Sequence, residues 1–266
     1  MSGQTALLEG KVAIVTGASR GIGALTARAF AAAGAAVALA ARDEQALASV
    51  AEEIVGAGGR ALIVATDVSD SAAVERLVER TTDAYGRLDV AFNNAAGGGH
   101  PPTYLADVSV EDFDSALAIT LRGIFLAMKF EIPAMLESGG GAVVNMSSTA
   151  GLDAVGGLAA YVSSKHGVIG LTKVAALDYA DQGIRVNAVA PGPILTERLE
   201  EAGEEAQHQA GLVMPMRRIG RPQEVASAVI WLCSDQASYI TGATLPIDGG
   251  KLAGAAPFGP IRSGTR

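Results

Sequence analysis

The sequence predicts an α/β protein: one doubly wound parallel sheet of about seven strands with helices on both faces. Three observations carry that prediction. Short apolar runs alternate along the chain with longer segments of helical period. The runs are continuous rather than alternating, as expected of strands covered on both faces. The chain has 266 residues, 49% hydrophobic and 18% charged, enough for one large core without covalent staples. Residues 1–266 are therefore read as a single domain.

The first run, Val12–Thr16, leads into a glycine-rich turn and a helix at 21–33. Ala36–Ala41 precedes a helix at 44–56, and Ala61–Ala65 one at 71–85. Val90–Asn93 precedes a long helical stretch at 109–137, and Ala142–Met146 another at 155–181. Arg185–Ala190, a helix near 222–233 and the run Thr244–Ile247 complete the pattern. The 33 glycines follow no three-residue period, so they point to tight turns and close backbone approaches. One segment differs from the rest. Glu197, Glu200, Glu201, Glu204 and Glu205 make it too polar for a core helix, and 196–215 is expected to be a movable lid over the substrate. The tail, 251–266, is rich in Gly, Ala and Pro, and is expected either as loose chain or docked on a neighbouring subunit.

Composition excludes several classes. A single Cys233 rules out an intrachain disulfide framework and a multi-cysteine zinc site. His100, His166 and His208 lack metal-ligand spacing, so no metal is expected. A net charge of −8 opposes a nucleic-acid or anionic-membrane partner. The first residues lack the basic and apolar regions of a signal peptide, and no apolar stretch reaches the roughly 18 residues of a membrane span. The expected location is the cytoplasm.

Gly17, Gly21 and Gly23 stand between the first strand and the first helix, with Ser19, Arg20 and Ile22 among them. Glycine there permits a tight turn and close approach of backbone N–H groups to a pyrophosphate at the helix N-terminus. No Gly-Lys-Ser/Thr follows, so the loop is not a P-loop. The context predicts dinucleotide binding; the alternative is a plain tight turn. The second strand ends at Ala41 with Arg42 next, where a ribose-reading fold usually has an acid. A guanidinium suits a 2′-phosphate, and Arg20 adds a second positive charge, so NADP(H) is preferred over NAD(H). Arg42 as a solvated turn residue, and Asp43 as a ribose ligand, stay open. Asp67 and Val68, after the third strand, offer a carboxylate and a backbone N–H to an adenine, or else cap the next helix.

Tyr161 and Lys165 lie four residues apart, on one helix face. A neighbouring ammonium and an oxidised nicotinamide would both favour the phenolate, bringing the phenol toward working pH. Ser148 lies thirteen residues earlier, where its hydroxyl can hold a substrate oxygen. The plain alternatives are a buried helix aromatic and a helix cap.

Taken together, the Thr16–Gly23 loop, Asp67-Val68, Asn93-Asn94-Ala95, Ser148 with Tyr161 and Lys165, the Val186–Gly192 run and Leu245–Gly250 resemble the short-chain dehydrogenase/reductase family over about residues 8–250. The resemblance implies a Rossmann-like doubly wound parallel sheet and hydride transfer between a nicotinamide cofactor and a carbonyl or secondary alcohol. It implies Tyr161 as general acid or base, Lys165 as its modulator and ribose ligand, and Ser148 as holder of the reacting oxygen. It further implies that Asn93, Asn94 and their backbone support the adenosine ribose, that Pro191, Gly192, Ile194 and Thr196 hold the carboxamide end, and that the protein is a tetramer packed through its two long helices. Two departures stand out. Thr120 occupies the place of the usual helix-four Asn, which is thought to organise a water relay behind the lysine. Ala96 replaces the glycine of Asn-Asn-Ala-Gly, with Gly97 one place late.

The leading expectation is thus an NADP(H)-dependent carbonyl reductase or alcohol dehydrogenase, a homo-oligomer acting on a small molecule. Its substrate pocket is expected near Gly98, His100, Val155, Gly156, Val213 and Met214; His100 reads more simply as a surface loop residue, and Met214 as lid packing. One alternative is a 3-oxoacyl-carrier-protein reductase. It is opposed by the acidic surface and by Ser138-Gly139 and Asp181-Gln182, where docking arginines would stand. The other is a non-catalytic NADP(H)-binding regulator, opposed by the intact Ser148, Tyr161 and Lys165.

Overall fold

A computed structural model describes residues 6–254, apart from Ala202 and the Arg198 side chain. Seven parallel strands form one sheet in the order β3-β2-β1-β4-β5-β6-β7. They are β1 Val12–Thr16, β2 Ala36–Ala41, β3 Arg60–Ala65, β4 Val90–Asn93, β5 Gly141–Met146, β6 Ile184–Pro191 and β7 Thr244–Ile247. The order reverses at β1, whose neighbours are β2 and β4. The carboxyl ends are level there: Thr16 pairs with Asn93, and Asn93 with Asn145.

The strands are apolar on both faces because both are covered. Residues of one parity, such as Val15, Leu39, Phe92 and Val144, pack with Phe30, Leu47 and Val229. These come from α1 Gly21–Ala32, α2 Glu44–Gly56 and α9 Pro222–Cys233. Residues of the other parity, such as Ile14, Ala91 and Val143, meet Leu77, Ile132 and Val168. Those belong to α3 Ser71–Tyr85, α5 Gly123–Glu137 and α6 Ala159–Tyr179. Asp43 and Asp70 cap α2 and α3 by accepting from Ala46 and Ala72 N–H.

The structure departs from the sequence-based expectation at three places. The long stretch at 109–137 is not one α-helix: α4 Val110–Ala116 and α5 are joined by a π-helical segment, Leu117–Arg122. α6 starts at Ala159 rather than 155, because the glycines before it turn instead of helping to nucleate a helix. The acidic segment forms two short helices, α7 Glu197–Glu201 and α8 Gly203–Leu212, of which only Gly211 is described as buried. Its polar sequence keeps it out of the core while still allowing helix.

Phe30 is fully buried between α1 and the sheet. Phe30→Ala is expected to cost about 3–5 kcal/mol, read as a lower midpoint in urea unfolding.

Candidate active site

A cleft of about 490 Å³ opens over the carboxyl ends of β1 to β4, beside the point where strand order reverses. Its walls include Gly17, Ser19, Arg20, Arg42, Asp67, Val68, Asn94 and Ala96. Gly17 sits at φ +66°, and a Cβ there would lie 2.8 Å from Asn94 Nδ2. A methyl on Gly23 would overlap the Gly17 carbonyl. The loop can therefore fold back on α1 only with glycine at both positions, while Ile22 turns into the core. No side chain caps α1 at Arg20. Instead the Gly21 N–H donates to the Glu197 carboxylate at 3.2 Å, and Thr196 lies beside Gly21. The helix start thus already takes an anionic oxygen, as a pyrophosphate site should.

At the far end of the cleft, Arg42 is exposed at the tip of β2. Asp43 caps α2 with one carboxylate oxygen, and both Arg42 and Asp43 line this end of the cleft. Asp67 accepts from both the N–H and the hydroxyl of Ser69, at 2.9 and 2.7 Å. Those bonds, with a smaller contribution from the Arg42 charge, hold its carboxyl below its usual range. Val68 packs against Gly123. Asn94 works inward: its Nδ2 donates to the Thr16 and Gly17 carbonyls, and its N–H to Thr16 Oγ1 at 3.0 Å. It holds the end of β4 against the glycine loop.

The second group lies farther along the same sheet edge. Lys165 is 2% exposed, and its Nζ donates to the Met146 carbonyl at 2.8 Å. Ser147 Oγ returns a bond to the Lys165 carbonyl at 3.0 Å. These bonds fasten α6 to the segment running from β5 into Ser148. Tyr161, one turn earlier on α6, is 38% exposed, and its ring centre lies 5.7 Å from Lys165 Nζ. Ser148 Oγ accepts from the Ala150 N–H at 3.1 Å, so it also caps the short turn that follows. Pro191 ends β6, and the Gly192 N–H is bonded to Ile247. Ile194 bridges to Gly220. Thr196 opens α7 next to Gly21, which brings the 191–196 segment against the glycine loop.

A family model described as enoyl-(acyl carrier protein) reductase matches residues 17–251. The chain is 45% identical to an A-factor type γ-butyrolactone 1′-reductase (1S-forming) of Streptomyces virginiae, covering 94% of this chain and 98% of that protein. It is 41% identical to a cyclohexanol dehydrogenase of an Acinetobacter species, covering 90% and 94%. The solved structure of 7α-hydroxysteroid dehydrogenase complexed with NADH and 7-oxo glycochenodeoxycholic acid superposes with a TM-score of 0.88 at 34% identity, covering 94% of this chain and 97% of that one. The chain belongs to the short-chain dehydrogenase/reductase family. It is an oxidoreductase of alcohols or carbonyls, and its cofactor class is NAD(P)(H). The glycine cradle and the anion-accepting start of α1 fit that cofactor.

This short-chain dehydrogenase/reductase keeps both departures in its cleft region. Thr120, in the π-helical segment and 2% exposed, exchanges hydrogen bonds with Gly97: its hydroxyl faces the Gly97 carbonyl at 3.3 Å and the Gly97 N–H at 3.4 Å. Ala96 lines the cleft, and Gly98 (φ +69°) crosses so close to Ser115 that any side chain there would collide.

Two contacts of this region were not foreseen from the sequence, one of them made by His100, which the sequence placed near the pocket or on a surface loop. His100 is more than a surface residue: its Nε2 accepts from the Ala160 N–H at 3.4 Å, at the start of the Tyr161 helix, while Nδ1 faces the Pro101 carbonyl. Lys251 Nζ donates to Thr149 Oγ1 at 3.1 Å, next to Ser148, so the described start of the tail reaches the site. Residues 255–266 lie outside the described residues. Neither contact has a local signal, since each joins positions 60 or more residues apart.

Burial lowers the Lys165 pKa from 10.5 to about 8. Between those values the unfolded chain holds the extra proton, so this group makes stability rise with pH there. Below about 8 the buried ammonium costs stability in full. Lys165→Met is therefore expected to raise the unfolding free energy at neutral pH by up to about 3 kcal/mol, read as a higher urea midpoint, with the gap closing as pH rises from about 8 to 10.5.

Proposed function

We propose that the protein is an NADP(H)-dependent carbonyl reductase or secondary-alcohol dehydrogenase. The observation that carries this reading is an accessible phenol, Tyr161, one helical turn from the buried Lys165 ammonium and beside the loop that bears Ser148. When bound, the nicotinamide supplies or accepts the hydride. Tyr161 Oη gives a proton to the carbonyl oxygen during reduction, or takes it from the alcohol during oxidation. The Lys165 charge favours the phenolate side of that exchange and binds the ribose hydroxyls. Ser148 Oγ holds the reacting oxygen beside the phenol. Thr120 keeps the Gly97 loop against the π-helical segment at the place where the family's Asn would organise a relay. Gly17, Ser19, Gly21, Ile22 and Gly23 hold the pyrophosphate, Asp67, Val68 and Asn94 frame the adenosine, and Pro191, Gly192, Ile194 and Thr196 take the carboxamide end.

NADP(H) is the preferred cofactor. Arg42 and Arg20 both line the cleft, and Asp43, next to Arg42 in the chain, accepts the Ala46 N–H as the cap of α2. Residues 196–215 act as the lid, closing the substrate space near Gly98, Val155 and Val213. Glu197 on Gly21 is one closed contact of that lid. A homo-oligomer, a tetramer in its full form, is supported by an apolar groove of about 690 Å³ between the long helices, where Leu121, Phe125, Leu171 and Val174 meet solvent. No helix among the described residues is long and apolar enough to cross a membrane. A lone buried Cys233 suits a reducing cytoplasm.

The matched family model is named for carrier-protein chemistry, but an acidic carrier would meet a chain of net charge −8. A small free substrate is the better reading. A non-catalytic regulator would bind NADPH without consuming it.

With a panel of activated ketones, the protein is expected to consume NADPH, followed by absorbance. Tyr161→Phe is expected to lose turnover by about 100- to 10,000-fold while NADPH affinity stays nearly unchanged; full activity in that variant contradicts the assignment. Arg42→Ala is expected to weaken NADPH binding by about 10- to 100-fold with little effect on NADH, read by titrating the fluorescence of Trp231. Equal losses for both would remove Arg42 from 2′-phosphate recognition.

A further inference from the structure

Glu131 is an acid in the wrong place for an ionised one. It lies on α5, 1% exposed, among the inward residues Met128, Ile132 and Met135. Among the described residues no cation faces it from a packed element. α3 turns Ala73, Val74, Leu77 and Val78 inward and leaves Glu75, Arg76, Glu79, Arg80 and Asp83 exposed. β4 and β5 carry no titratable residue. On β6, Arg185 is bonded to the Leu232, Ser234 and Ile240 carbonyls. On α6, Lys165 is turned onto the Met146 carbonyl, while Lys173 and Asp178 are exposed. Arg122 of the π-helical segment donates to the Ser69 carbonyl, and Lys129 and Glu137 on α5 itself are exposed.

Its hydrogen bonds are incomplete in a particular way. Asn93 Nδ2 donates to Glu131 Oε2 at 3.0 Å and to Asn145 Oδ1 at 3.1 Å. Asn145 Nδ2 continues to Thr172 Oγ1 at 3.0 Å, and Thr172 to the Val168 carbonyl at 2.8 Å. The amide of Asn93 cannot be flipped, because its oxygen would then face Asn145 Oδ1, whose own amide is fixed by its bond to Thr172. Two buried atoms of this chain of bonds lack partners: Glu131 Oε1 and Asn93 Oδ1. Both are acceptors, and they sit on the same bonded pair.

We propose that Glu131 is a neutral carboxylic acid that donates from Oε1 to Asn93 Oδ1, closing a two-bond ring that positions the β4 tip for cofactor binding. The proton assignment stands on the buried pair alone; the cofactor consequence rests on the proposed function. The link runs through one peptide bond. Asn93 is followed by Asn94, whose side chain holds the Thr16 and Gly17 carbonyls of the glycine loop. Burial raises the Glu131 carboxyl to about 7, which keeps the proton in place below neutrality. Glu131 is a positioning residue and touches neither substrate nor cofactor.

Glu131→Gln reproduces the neutral acid, with one donor and one acceptor on the same frame; Glu131→Leu removes both. Infrared difference spectra of the full-length wild type against Glu131→Gln are expected to show a protonated carboxyl band at about pH 6 that fades through about pH 7. The folded state keeps its proton above the unfolded value of 4.5, so wild-type stability falls relative to Glu131→Gln by about tenfold in folding constant per pH unit from 4.5 to about 7, then levels. NADPH affinity is expected to weaken above about pH 7 in wild type, to hold steady in Glu131→Gln, and to be weak at every pH in Glu131→Leu. An absent carboxyl band, or parallel stability profiles for wild type and Glu131→Gln, overturns the proton assignment. If the band and profiles appear but NADPH affinity does not follow, the positioning role fails. If no NADPH binds any form, the proposed function fails instead. Should Glu131→Gln not fold, the carboxyl carbon shift of isotope-labelled wild type decides by titration: a midpoint near 4.5 overturns the assignment and one near 7 upholds it.

Discussion

The position of Tyr161 depends on two hydrogen bonds that run in opposite directions between α6 and the end of β5. Lys165 gives one to the Met146 carbonyl, and Ser147 gives the other to the Lys165 carbonyl. A helix tied this way cannot slide along the sheet without breaking one of them. Each such bond contributes about 1 kcal/mol net, less than the cost of burying the lysine charge. The apolar packing of Val168, Ala175 and Ala176 supplies the remainder. The site is thus held by the core beneath it, and the reactive residues draw on that stability.

A second constraint joins the cofactor loop to the centre of the sheet. Thr16, at the end of β1, accepts from the N–H groups of both Asn94 and Ala95. Asn94 returns its amide to the loop. β1 and β4 are the strands between which the topology reverses, so no crossover helix covers the gap above them. Bonds across the reversal shape the floor of the cleft, and glycines at 17 and 23 let the backbone close over it.

Charge acts locally in this molecule. The chain as a whole carries −8, yet Arg20 and Arg42 both line the cleft, and Glu197 of α7 accepts from the Gly21 N–H at its glycine loop. The inner face of the sheet shows the opposite economy: Asn93, Asn145, Thr172 and Glu131 form a polar chain with no free charge beside it.

The amino-acid sequence by itself determined the strands, most helices and the motif residues. Continuous apolar runs, helical periods and glycine spacing are local properties that the chain carries before it folds. The strand limits it implied differ from those observed by one residue at most. What only the tertiary structure decided are the contacts made across distance: the pairing of Thr120 with Gly97, the His100 cap on α6, the Asn94 tie to β1, and the carboxyl of Glu131. Glu131 sits in a helical pattern whose charged positions normally face water, and the linear chain does not say which side of α5 meets the sheet at that turn. The break at 117–122 was hidden for the same reason, since Thr120 within it is bonded to a loop 23 positions away. Such choices are made by burial and by the partners burial brings close, and neither exists until the sheet has assembled.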